Sequence, residues 1–197
     1  MEALQAILTR RSTRNYKPVP VEQEKLDRIL EAGRQAPSRG NNQTSHFLVI
    51  RNRDVLDRLV ALTEKAFAGM EATEDTYASL KHSIAASKKG GYVFCYNAPV
   101  LIVVANRKDY GNNMADCACA LENMMVAANA LDLGSCWINQ LKWLNEEPGI
   151  VEYLRGFGMK EDERVYGAVI VGYPATETGL PNRNLMVLKG NEVTWID

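Results

Sequence analysis

Pro99-Val100-Leu101-Ile102-Val103-Val104-Ala105 is a continuous apolar run of strand length. A strand with no polar face belongs in the middle of a sheet that is covered on both sides. C-terminal to it, residues 112–131 are rich in Ala, Leu and Met and carry few charges, which predicts a long helix buried on more than one face. Gly134 reads as the left-handed cap of that helix, and Ser135-Cys136-Trp137-Ile138 as a short extended segment. A helix over about 146–155 and a strand over 165–171 follow, the strand ending at Gly172-Tyr173-Pro174.

On the N-terminal side, Leu26, Ile29 and Leu30 form the apolar face of a helix over about 21–35, with Pro20 before it and Ala36-Pro37 ending it. Residues 37–43 form a loop dense in turn formers and amides. His46-Phe47-Leu48-Val49-Ile50-Arg51 reads as a strand, and Leu56, Leu59, Val60 and Thr63 carry the next helix. Residues 68–92 have no sharp stripe and form either a mobile cover over a site or a loosely packed connection. Strands and helices alternate imperfectly, so the expected fold class is α+β, a mixed α/β sandwich forming a single domain over 1–197.

The chain has 197 residues, 46% hydrophobic and 24% charged, which is ordinary globular composition. Its 23 Lys and Arg against 24 Asp and Glu give a formal charge of −1. That balance argues against a nucleic-acid partner and favours a small anion. No membrane-length apolar run and no leader-like N-terminus are found, so a cytoplasmic location is expected. Cys95, Cys117, Cys119 and Cys136 contain no C-x-x-C pair and read as buried reduced thiols. His46 and His82 lie far apart, without H-E-x-x-H spacing, so no metal site is expected; His46, opening a strand, reads as a structural histidine. No G-x-S-x-G elbow is present to support hydrolase chemistry.

Arg10-Arg11-Ser12-Thr13-Arg14 offers three guanidiniums and two hydroxyls in five residues, a pattern suited to bidentate capture of a phosphate. The same cations also suit the negative end of the short helix before them, whose apolar face is Ala3, Leu4, Ile7 and Leu8. G-x-G-x-x-G and Walker A motifs are absent, so a nucleotide-like cofactor would have its phosphate held mainly by such side chains.

These residues converge on a family. The chain resembles the FMN-dependent nitroreductases in its R-R-S-x-R segment before a Pro-containing turn and its A-P-S-x-G-N-x-Q loop at residues 36–43. Asn97-Ala98-Pro99 before the apolar strand, L-x-L-G-S-C-W at residues 131–137 and Gly172-Tyr173-Pro174 complete the resemblance, which covers essentially the whole chain. It implies a central mixed sheet flanked by helices in an interlocked homodimer, with non-covalent FMN at the subunit interface. Arg10, Arg11 and Ser12 would then hold the FMN phosphate and ribityl end. Arg14 would reach the N1/C2-oxygen edge of the ring and stabilise the negative charge that reduction leaves there. Pro37, Ser38, Arg39, Asn41 and Gln43 would approach the flavin, in many family members from the partner subunit. Gly134, Ser135, Trp137, Ile138 and Asn139 would lie along the ring, with a backbone N–H near N5. Arg183 would add a phosphate contact, and Asn97 either faces the ring or caps a strand.

The activity so implied is a ping-pong transfer of two electrons from NADH or NADPH to an electron-poor acceptor, a nitroaromatic, a quinone or a related compound. Positioning rather than a side-chain acid or base carries such chemistry, so no catalytic side chain is assigned. Two alternatives share the motifs: a flavin-binding carrier or sensor without turnover, and a flavin enzyme of the same fold with other chemistry, such as reductive dehalogenation, using residues 68–92 as a lid.

Overall fold

The structure is a computed structural model that describes residues 1–196. Its elements are α1 (Ala3–Thr9), α2 (Gln23–Arg34), β1 (His46–Ile50), α3 (Arg53–Ala68), α4 (Ala78–Lys89), β2 (Val100–Arg107), α5 (Asn113–Ala130), β3 (Gly134–Ile138), α6 (Gln140–Trp143), α7 (Pro148–Arg155) and β4 (Glu163–Gly172). The apolar run is β2, and the sheet order β1-β2-β4-β3 places it between β1 and β4. Every strand pair is antiparallel. The parallel component anticipated for the sheet is confined, among the described residues, to one bridge between Ser12 and Ser135.

β2 divides two apolar layers by the alternation of its side chains. Leu101, Val103 and Ala105 face a cluster built with α3, α6 and α7, while Val100, Ile102 and Val104 face one built with α2 and α5. Each buried Val, Leu or Ile contributes about 1.5–3 kcal/mol relative to exposure. Where α5 crosses the sheet, an added Cβ on Gly167 would lie 2.6 Å from Leu121 Cδ1, so glycine there lets β4 and α5 approach closely.

Several expectations need correction. The left-handed residue closing α5 is Asp132 (φ 64°), not Gly134. Leu133 N donates to Ala128 O at 2.9 Å and Asp132 N to Asn129 O at 3.3 Å, a Schellman closure in which the aspartate tolerates the left-handed region. Gly134 has already joined β3. In α1 the buried residue is Ala6, whereas Leu4, Ile7 and Leu8 are 73%, 52% and 62% exposed. The helix docks on α5 through its small side and its backbone, so its apolar stripe points outward. Cys119 is exposed on α5, unlike the other three thiols. Residues 68–92 contain α4, which buries only Ser83, Ile84 and Ser87. No helix among the described residues is long and apolar enough to cross a membrane.

Candidate cofactor site

The N-terminal cations lie on a strap that is stitched across the end of the sheet. Thr13 N donates to Ser135 O at 2.8 Å, Lys17 N donates to Tyr173 O at 2.8 Å, and Ala175 N donates to Asn15 O at 3.0 Å. Thr13 also packs on Gly134, where an added Cβ would come within 2.6 Å of Thr13 Oγ1. Two segments remote in sequence, residues 10–14 and 134–139, therefore form one surface.

Within this surface Arg11 turns its Nη1 back to Leu8 O and Arg10 O, at 3.1 and 2.5 Å. Its Nη2 is buried and has no hydrogen-bond partner among the described residues. A buried guanidinium donor left unanswered is costly, and an anionic oxygen placed beside it would answer it with a charge-assisted bond. Arg10 Nε stands 3.3 Å from Glu122 Oε1, Ser12 is exposed, and the Arg14 guanidinium lies 6.0 Å over the Tyr96 ring. The donor set fits a phosphate monoester at Arg11 and its neighbours.

Arg183 is engaged elsewhere on the same side. Its Nη2 donates to Asn129 O and to Asp132 Oδ1, each at 2.6 Å, so it caps the C-terminal end of α5. Asn129 Nδ2 in turn donates to Ala6 O at 2.9 Å and Thr9 Oγ1 at 3.0 Å, which links Arg183 to the end of α1 just before Arg10.

Residues 37–43 lie at the other end of α5. Buried Asp116 accepts from Arg39 N at 3.3 Å, from Asn112 Nδ2 at 2.6 Å and from Tyr110 OH at 2.9 Å. Ser38 Oγ accepts from Gln43 N at 3.0 Å, and Gln43 Nε2 donates to Asn41 Oδ1 at 3.0 Å. Gly40, Asn41 and Gln43 all have left-handed backbones, with φ of 60°, 54° and 51°. Pro37, Ser38 and Gln43 line a cleft with Asp116, apart from the arginine strap.

On β3, Ser135 is buried and the half-buried Trp137 donates from Nε1 to Asn139 Oδ1 at 2.8 Å. Trp137, Ile138 and Asn139 border a cavity of about 190 Å³ together with Arg14 and Tyr96, and α4 closes its far side with Ser79 and His82. The stretch with no clear pattern in the sequence thus supplies one wall of the cavity. Asn97 Oδ1 accepts from Arg53 Nη2 at 3.2 Å, and Asn97 and Tyr96 both have left-handed backbones at φ 55° and 52°. His46 Nδ1 is 2.8 Å from Oε2 of buried Glu163, the structural role expected of it.

Tyr16, Tyr96, Asp116 and Asn129 carry no local sequence signal that marks them as part of the site. Only the fold brings Tyr16, Tyr96 and Asn129 to the arginine strap and Asp116 to the 37–43 loop.

The sequence profile of the Nitroreductase family matches residues 7–173. An Archaeoglobus fulgidus protein, named as a candidate NADH dehydrogenase/NAD(P)H nitroreductase, is 30% identical over 89% of this chain and 87% of its own length. A Bacteroides fragilis nitroreductase solved with bound FMN is 34% identical, with full coverage of both chains and a TM-score of 0.87. A second FMN-bound nitroreductase, from Desulfitobacterium hafniense, is 24% identical with full coverage and a TM-score of 0.81, and shares the fold.

Proposed function

The chain belongs to the nitroreductase family, and from that membership we propose that it is an FMN-dependent oxidoreductase passing two electrons from NADH or NADPH to an electron-poor acceptor. The observation that carries the reading is the buried, unpartnered Nη2 of Arg11, set between Arg10 and Ser12 on a strap tied to β3. Arg10, Arg11 and Ser12 hold the FMN phosphate and ribityl end, with Arg183 beside them through Asn129.

Arg14 would face the N1/C2-oxygen edge of the ring, where its positive charge would favour the reduced, more negative state. Gly134, Ser135, Trp137, Ile138 and Asn139 would line the ring, with a backbone N–H to bond the reacting nitrogen. Pro37, Ser38, Arg39, Asn41 and Gln43 would reach the cofactor from the partner subunit of a homodimer. Bound FMN supplies the capacity to accept a hydride and pass on two electrons. The chain's residues orient donor and acceptor in turn on one face, which makes the kinetics ping-pong and requires no side-chain acid or base.

Release of the chromophore by denaturing the purified protein tests this. A yellow protein that yields FMN is expected; a colourless protein that also fails to take up added FMN overturns the reading.

A further inference from the structure

Tyr16 has no part in the roles above, and its surroundings give it one. Its ring is 8% exposed and packs on Gly172, where an added Cβ would come within 2.9 Å of Tyr16 Cδ1. Its hydroxyl donates to Thr13 O at 2.6 Å. A ring that only fills space needs no hydroxyl, because a buried hydroxyl costs free energy unless it is bonded. The bond this hydroxyl makes is to the carbonyl that precedes Arg14.

That bond closes residues 13–16 into a turn around Arg14. Thr13 is held to Ser135 of β3, Asn15 to Ala175, and Lys17 to Tyr173. The backbone on both sides of Arg14 is therefore fixed, while its side chain is exposed and lies over the Tyr96 ring at the edge of the cavity. Burial pushes the Tyr16 phenol far above its usual range, with Cys136 adding to the rise and Arg14 opposing it, so the group stays a neutral donor.

We propose that Tyr16 is a positioning residue whose hydroxyl fixes the Arg14 backbone and thereby sets the redox potential of the bound cofactor. The proposal rests on the role given to Arg14 above. A guanidinium held at constant distance from a developing negative charge stabilises it more than one that wanders, since the attraction falls with separation.

Tyr16→Phe keeps the buried ring and removes the hydroxyl. In the FMN-loaded protein the midpoint potential falls and reduction by NAD(P)H slows about fivefold, the scale of one lost hydrogen bond, while FMN affinity is unchanged. In the FMN-free protein, amide exchange at residues 13–15 accelerates. Added to Arg14→Ala, Tyr16→Phe lowers the potential no further. A lower melting temperature with unchanged potential would make Tyr16 a packing residue and overturn the proposal, as would unchanged exchange at residues 13–15. A further fall in potential in the double variant would show that Tyr16 does not act through Arg14. If Arg14→Ala alone leaves the potential unchanged, the Arg14 reading fails, and that failure is seen separately from any result on Tyr16.

Discussion

Asp116 and Asn129 stand near opposite ends of α5, ~20 Å apart at the helical rise, and each anchors chain in or next to a segment expected to contact FMN. Asp116 binds Arg39 of the 37–43 loop, and Asn129 binds α1 just before the arginine strap. Two copies of α5 packed antiparallel about a twofold axis would bring the loop of one subunit to the strap of the other. The outward Leu4, Ile7 and Leu8 of α1 supply apolar surface for such packing.

Replacing Ile7 and Leu8 together by Glu is therefore expected to dissociate the proposed homodimer and to release FMN with it. Each side chain withdrawn from an interface forfeits about 1.5–3 kcal/mol. Sedimentation combined with flavin absorbance checks this. A monomer that keeps its full FMN content would show that one subunit completes the site.

Gly134→Ala should loosen the strap. Its Cβ would meet Thr13 Oγ1, Cβ and Cγ2 at 2.6–2.7 Å, a contact that includes the stiff base of a β-branched side chain. A cost of about 1–3 kcal/mol in stability is expected, together with weaker FMN retention, because Arg11 and Ser12 move with Thr13. Chemical denaturation and FMN titration report the two effects; stability lost with FMN affinity intact would separate the strap from the cofactor.

Arg14→Ala is expected to lower the midpoint potential and to slow reduction by about tenfold. FMN retention should change less, since Arg10, Arg11 and Ser12 remain. Potentiometry decides: equal potentials in variant and parent would remove the role at the ring edge.

Alkaline pH should destabilise the fold in part through Cys117. Burial raises its thiol from 9.0 to about 11, against the hydrogen bonds of Ser45 and Asn106. Above pH 9 the unfolded chain loses this proton while the folded one keeps it, so the folded state binds more protons and stability falls as pH rises through this window. Cys117→Ala should flatten the decline in melting temperature between pH 9 and 11. An unchanged slope would assign the decline to other groups.

Much of this architecture is legible in the chain because local patterns carry it. β2 announces itself by having no polar face, and α2 by the single stripe of Leu26 and Ile29. The cap of α5 was harder to place, because glycine preference pointed to Gly134 while the hydrogen bonding of Leu133 selects Asp132. The periodicity of Leu4, Ile7 and Leu8 identifies a face but cannot say whether it packs inward or toward another subunit. Arg10 to Arg14 suggested an anion from composition alone. That Ser135 holds this strap, or that Arg183 spends its donors on Asn129 and Asp132, depends on contacts between distant segments that no local pattern encodes.

Anaerobic mixing of the FMN-loaded protein with NADH and, separately, with NADPH tests the proposed activity most directly. The bound flavin is expected to bleach by two electrons with at least one donor and to recover its colour when a nitroaromatic or quinone is added after the nicotinamide has been removed. A flavin that keeps its colour with both donors would contradict it.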